Sequence, residues 1–173
     1  MCIQKFDNFF DEDLFKEIIY FIKTIMNSKQ SKLTTNRGWE EGLKAHSSPI
    51  IRYQFENNDA ALFDKIKEVV LKKTQYSITD MVVHIFPKLA YIPWHLDDHC
   101  EHALTIYLNE DWKENWGGIF LYKKDNEITG IIPQKNLGIL LEAGTKHCVT
   151  TTNINAEDRI TLQFFLTKKR KLF

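Results

Sequence analysis

Between Asp11 and Met26 the apolar residues Leu14, Ile18, Ile19, Ile22, Ile25 and Met26 recur at three- and four-residue intervals. That is the period of a helix with one buried stripe. Asp11 is placed to cap the free amides at its start, and Phe10 with Phe15 can close as a hydrophobic staple. A second helix is predicted after Asp59, burying Leu62, Phe63, Ile66, Val69 and Val70. From Asn27 to Asn58 the periodicity is lost, and Thr34, Thr35, Asn36, Gly38 and Trp39 read as loop with short extended pieces. After Ser77 the pattern changes to short strands at Met81–Phe86, Ala103–Asn109, Ile119–Tyr122, Ile128–Ile132, Leu137–Leu141, Cys148–Thr152 and Arg159–Leu166. Pro87, Gly117-Gly118, Gly130, Pro133, Gly144 and Asn153–Asn155 mark the turns between them. Helices followed by a run of strands predict helices packed on an antiparallel sandwich or barrel.

Two of these strands sort their side chains onto unlike faces. Leu104, Ile106 and Leu108 oppose Thr105, Tyr107 and Asn109, while Ile160, Leu162, Phe164 and Leu166 oppose Arg159, Thr161, Gln163 and Phe165. A half-buried sheet with its polar face in water accounts for either strand alone. The alternative turns the polar faces into a barrel, around a charged ligand, with the aliphatic faces under the helices. Arg159 is then a buried cation in need of an anion.

At 173 residues and 20.4 kDa the chain is long enough for one well-buried domain and short for two. The expected division is helical support over about 1–76 and a β core over about 77–168. Hydrophobic residues make up 43% and charged residues 27%, which excludes a disordered chain, and twelve Phe promise an aromatic core. The 23 basic and 23 acidic side chains cancel, so no long-range field gathers nucleic acid or anionic lipid. The basic run Lys168–Lys171 reads as a solvated end. Cys2, Cys100 and Cys148 form no CxxC pair, and no signal or membrane-spanning segment is visible, which predicts a cytoplasmic protein.

Candidate chemistry centres on Pro93-Trp94-His95-Leu96-Asp97 and on Lys146-His147-Cys148. In an extended chain His95 and Asp97 point to one face, and a second imidazole from His147 completes two nitrogens and one oxygen. Three ligands on one side of a metal leave positions open, the facial arrangement of non-haem Fe(II) oxygenases. HxD alone is a weak signal; its order ahead of His147, with Arg159 and Thr161 on the last strand, strengthens it. A metal with open positions facing a buried Arg fits a dicarboxylate that chelates at one end and pairs with guanidinium at the other.

The runs Met81-Val82-Val83, Tyr91 to Asp97, Leu104 to Trp112, Gly117-Gly118, His147 and Arg159 together resemble the 2-oxoglutarate/Fe(II) dioxygenases of the prolyl 4-hydroxylase type. The stretch Tyr107 to Gly118 also resembles the oxygen-sensing prolyl hydroxylases. The likeness covers roughly residues 80 to 166, with Phe6–Ile22 similar to that family's opening helix. It implies a mainly β fold, a double-stranded β-helix of jelly-roll type with N-terminal helices packed on one sheet. It further implies His95, Asp97 and His147 as the catalytic iron ligands, and Arg159 as the residue holding the distal carboxylate of 2-oxoglutarate. Tyr107 and Thr161 would hydrogen-bond to that same end. Fe(II), 2-oxoglutarate and O₂ are the implied cofactor and cosubstrates, with ascorbate in support and succinate and CO₂ as coproducts. Two departures stand out: Phe86 where many relatives carry a Tyr, and a somewhat longer interval from His147 to Arg159.

Prolyl residues of a protein or peptide are the substrate this likeness implies; a free amino acid or other small molecule would be served by the same iron site. Nucleic acid ranks lower, because the related demethylases carry a second Arg six residues after the first and Phe165 stands there instead. A non-catalytic metal-binding barrel is the reading from a different class. Tyr91 and Trp94, flanking the metal motif, are the candidate substrate residues among the aromatics Trp39, Tyr91, Trp94, Trp112 and Trp116. His99 and His102 read as surface loop, His84 and His46 as unpaired, and Cys148 as a packed thiol. HExxH, the signature of a zinc hydrolase, is absent.

Overall fold

The computed structural model describes residues 3–27, 34–35, 47–55, 59–97 and 99–168. Helix α1 (Glu12–Asn27) starts where the sequence places it, the Leu14 amide donating to Asp11 Oδ1 at 2.8 Å. Leu14, Phe15, Ile18 and Ile22 are buried beneath it, with Ile19, Ile25 and Met26 half-covered at the margin. Helix α2 (Ala60–Thr74) buries Leu62, Ile66 and Val70. It ends as Gln75 turns into the left-handed region at φ +66° and its N–H meets the Leu71 carbonyl.

Eleven strands are formed among the described residues: β1 Ile3–Phe6, β2 Thr34–Thr35, β3 Ile51–Gln54, β4 Tyr76–Phe86, β5 Ile92–His95, β6 His102–Tyr107, β7 Phe120–Lys124, β8 Glu127–Ile131, β9 Gly138–Glu142, β10 His147–Val149 and β11 Arg159–Lys168. They make two antiparallel sheets, a major one in the order β1-β9-β6-β11-β4-β3-β2 and a minor one in the order β5-β10-β7-β8. This is the jelly-roll double-stranded β-helix, with both helices against the major sheet.

The strand bounds differ from the periodicity in instructive ways. β4 begins at Tyr76 rather than Met81, because Tyr76–Ile78 pair with the end of β11 beyond a bulge at Phe165/Leu166. β10 stops at Val149, and Thr152 makes only an isolated bridge to Gly117. β1 and the β2–β3 pair, too short to show a period, are additions at the two ends of the major sheet, held by pairing with β9 and β4. Trp39 and His46 fall outside the described residues.

The major sheet separates two cores. Its aliphatic face, with Leu104, Ile106, Leu162, Phe164 and Leu166, packs on Phe9, Phe10, Phe15 and Ile18 of the helical layer. Its other face turns toward the minor sheet, where Phe86, Tyr107, Phe120, Tyr122 and Ile139 form the second core. The polar faces of β6 and β11 are therefore turned inward. Buried Asn136 ties the layers together: its side-chain amide donates to the Phe10 carbonyl at 2.7 Å, and its Oδ1 accepts the Phe10 amide at 3.0 Å. Its backbone N–H donates to the Tyr107 carbonyl.

Candidate active site

β5 and β10 are neighbours in the minor sheet, and His95 and His147 are cross-strand partners in their register. The rings lie 4.1 Å apart between centroids. His95 Nδ1 lies 2.8 Å from the Pro93 carbonyl and His147 Nδ1 lies 2.9 Å from the Thr145 carbonyl. A carbonyl only accepts, so each Nδ1 carries the proton and each Nε2 keeps its lone pair. Both Nε2 atoms face Asp97, His95 at 4.0 Å from Oδ1 and His147 at 3.6 Å from Oδ2. The three donor atoms lie within 4.8 Å of one another with no hydrogen bond among them. Burial first, and the neighbouring His95 next, hold the His147 pKa below the usual imidazole range, so the ring stays neutral. A carboxylate and two imidazoles whose Nε2 atoms turn to one point form a donor set that a divalent cation satisfies.

The cavity in front of them has a volume of about 320 Å³ and is walled by both sheets, Ile92, Phe120 and Val149 on one side and Phe86, Ile139 and Thr161 on the other. Arg159 reaches into it from the first position of β11 and is 1% exposed. Several contacts fix its place. The Asn109 side chain brackets its backbone, Nδ2 donating to the Asp158 carbonyl and Oδ1 accepting the Ile160 amide, each at 2.8 Å. The guanidinium lies over the Phe86 ring at 4.7 Å and the Tyr107 ring at 5.0 Å. Gly118 presses on its stem: a Cβ there would stand 3.0 Å from Arg159 Cδ and 3.1 Å from Trp112.

No carboxylate pairs with Arg159 among the described residues, its Nε is buried without a hydrogen-bond partner, and so is the Tyr107 hydroxyl. Burial lowers the Arg159 pKa and raises that of Tyr107, while each group opposes the other's shift. A buried cation without a counter-charge is costly in a protein interior, and an acidic ligand entering the cavity supplies that charge to Arg159. The residues present thus fit a dicarboxylate held between a metal and Arg159.

Among the residues singled out in the sequence, His95, Asp97, His147, Arg159 and Thr161 all line this cavity. Tyr107 stands behind Arg159 without lining it, opposite Thr161 in the sheet. Tyr91 and Trp94 lie outside the lining, Tyr91 exposed with its amide on Ser48 Oγ and Trp94 with Lys123 over its ring. Trp112 and Trp116 pack edge to face, and Trp112 Nε1 donates to the Gly117 carbonyl, a local clamp on the Gly117-Gly118 turn. Cys148 is buried, and burial raises its thiol pKa. His102 is corrected from loop to strand, where it stacks on Tyr76 at 4.0 Å. His99 is exposed, as the sequence implies, yet it sits at the cavity edge against Phe165.

Sequence reasoning missed Arg52, Asp80, His84 and Gln163 as cavity residues. His84 shares the parity of Phe86 on β4, a usable signal, but Arg52 joins it only through the β3–β4 register.

No family model and no curated protein sequence matches the chain. Solved structures do. A Pseudomonas putida prolyl 4-hydroxylase is 16% identical with a TM-score of 0.70, covering 96% of this chain and 92% of its own. A Trichoplax adhaerens prolyl hydroxylase, solved with a peptide of the hypoxia-inducible factor oxygen degradation domain, is 14% identical with a TM-score of 0.72, over 95% and 83%. A non-haem α-ketoglutarate-dependent epimerase of nogalamycin biosynthesis is 10% identical with a TM-score of 0.69, over 96% and 77%. The fold of this chain is that of the 2-oxoglutarate/Fe(II) dioxygenase superfamily, prolyl 4-hydroxylases among them.

Proposed function

We propose that residues 1–173 act as one Fe(II)/2-oxoglutarate-dependent dioxygenase domain that hydroxylates prolyl residues of a protein or peptide. The observation that carries the reading is the pairing, across one cavity, of the His95–Asp97–His147 donor set with the buried guanidinium of Arg159, which meets no carboxylate among the described residues. His95, Asp97 and His147 would hold Fe(II), and Arg159 the distal carboxylate of 2-oxoglutarate, with Thr161 beside it and Tyr107 backing the guanidinium from outside the cavity lining. When bound, iron with 2-oxoglutarate and O₂ supplies oxidative decarboxylation to succinate and CO₂, and insertion of one oxygen into a C–H bond.

The chain's own work is positional. The Pro93 and Thr145 carbonyls fix both imidazoles in the tautomer that presents Nε2. Asn109 and Gly118 seat Arg159, and Phe86, Phe120, Ile139 and Val149 keep water away from the reacting end. The relation of Phe86 to Arg159 replaces a hydroxyl contact with a cation–π contact. Tyr91 and Trp94, which flank the metal motif in sequence and lie outside the cavity lining, would be the residues to meet an incoming peptide.

The decisive measurement is succinate formation from 2-oxoglutarate with Fe(II), O₂ and ascorbate, comparing proline-containing peptides with free amino acids and weighing products for one added oxygen. Peptide-stimulated turnover with hydroxyproline as product, abolished by Asp97→Ala, is the expected outcome. Stimulation by amino acids alone would move the substrate to a small molecule on the same site. Full turnover in Asp97→Ala would remove the iron assignment.

A further inference from the structure

One wall of the cavity belongs neither to the metal donors nor to the Arg159 end. Arg52 on β3, His84 and Asp80 on β4, and Thr105 and Gln163 on the paired strands β6 and β11 all line it. The register sets Arg52 opposite His84, and His84 opposite Thr161. The carboxylate and amide oxygens of this wall are already engaged. Asp80 Oδ1 takes the Gln54 side-chain amide at 3.1 Å and the Met81 amide at 2.9 Å, and its Oδ2 takes Arg52 Nη2 at 3.1 Å. Gln163 Oε1 accepts the Thr105 hydroxyl at 2.6 Å.

Donors are left over. Asp80 engages one nitrogen of the Arg52 fork, and Arg52 Nε is buried without a partner. The Gln163 amide nitrogen, turned away from Thr105, makes no hydrogen bond with the described residues, and neither does the His84 imidazole, which is 8% exposed. Burial first, and then the charges of Arg52 and Arg159, keep that ring neutral, so it offers one N–H beside one lone pair. A wall whose carboxylate and amide oxygens are engaged, with spare N–H donors and a guanidinium, suits an acceptor-rich anion of carboxylate size.

We propose that Arg52, His84 and Gln163 form a substrate subsite for a carboxylate, separate from the Arg159 position of 2-oxoglutarate. This rests on the dioxygenase reading and narrows its substrate to one bearing a carboxylate near the hydroxylated carbon, either a free C-terminal carboxylate or an acidic side chain.

The test measures binding to the anaerobic Fe(II) protein saturated with 2-oxoglutarate, so that Arg159 is already occupied. Probes are the N-acetyl amino acids, N-acetyl-L-proline included, each against its methylamide, and capped Asp-Pro against capped Asn-Pro dipeptides. At least one carboxylate should bind roughly tenfold tighter than its neutral match, about 1.4 kcal/mol. The N-acetyl arm reports a terminal carboxylate and the dipeptide arm a side-chain one. Arg52→Gln should erase the preference while 2-oxoglutarate binding is unchanged, and Gln163→Leu, which leaves the Arg52–Asp80 pair intact, should weaken it. Equal binding of acid and amide, a preference surviving both substitutions, or no binding by any carboxylate at millimolar concentration overturns the subsite. Failure of the wild type to bind 2-oxoglutarate counts instead against the dioxygenase reading, and is read in a separate titration.

Discussion

Arg159 carries its charge into a buried place where no carboxylate among the described residues meets it, and its cost sets up two separable effects. Replacing a buried uncompensated charge by an apolar side chain of similar length removes a desolvation penalty. Arg159→Met should therefore raise the ligand-free stability by about 1 kcal/mol or more in a urea titration. The same variant should lose the thermal stabilisation given by 2-oxoglutarate and raise its KM roughly 30-fold or more, the scale of a lost buried charge pair. His84 has the opposite character, a base that folding keeps unprotonated. Its pKa falls from 6.5 to about 3, chiefly through burial and then through Arg52 and Arg159. Below pH 6.5 the unfolded chain takes up a proton that the folded chain refuses. Stability is thus complete above the unfolded pKa and declines as pH falls toward 3. Urea midpoints measured across that range should flatten in His84→Gln relative to the wild type.

Elements transmit these placements. The turn from the Trp112–Trp116 pair into β7 passes close to Arg159 at Gly118, whose φ of +63° favours glycine and where a Cβ would stand 3.0 Å from Arg159 and 3.1 Å from Trp112, so those side chains would have to give way. Gly118→Ala should cost about 1–3 kcal/mol, combining strained backbone with overpacking. Because the new methyl meets the Arg159 stem, the loss should appear in 2-oxoglutarate affinity as well as in the urea midpoint. A fall in stability with cosubstrate affinity intact would show that Gly118 serves the turn alone. On the other side of Arg159, the Asn109 bracket joins the end of β6 to the start of β11 and holds the one residue whose direction the cavity most depends on.

At the scale of the molecule, the helical layer and the β-helix meet through Asn136, whose side chain satisfies both backbone groups of Phe10. Asn136→Ala leaves a buried carbonyl and a buried amide unpaired, a loss of about 2–4 kcal/mol if each costs one to two. It should also speed hydrogen exchange in α1, since the lead-in Phe9–Phe10 is what seats that helix on the sheet. A variant with wild-type exchange in α1 would place the anchoring elsewhere, in the aromatic packing of Phe9 on Phe6 and Phe10.

What the sequence determined by itself follows from local periods and from motif order. The stripe of α1 and its Asp11 cap and the face division of β6 and β11 were legible because each depends on residues within one element, while His95, Asp97, His147 and Arg159 stood out as candidates through the order of motifs along the chain and the family resemblance. A period within a strand sorts side chains to faces but does not say which face is inside. That decision came from the helices covering the aliphatic face of the major sheet, which turned Arg159, Thr161 and Gln163 inward. The short edge strands, the extension of β4 past a bulge and the cavity wall of Arg52, His84 and Gln163 depended on register between strands distant in sequence. Pairing partners of that kind leave no period of their own, so only the tertiary structure could bring them to one cavity.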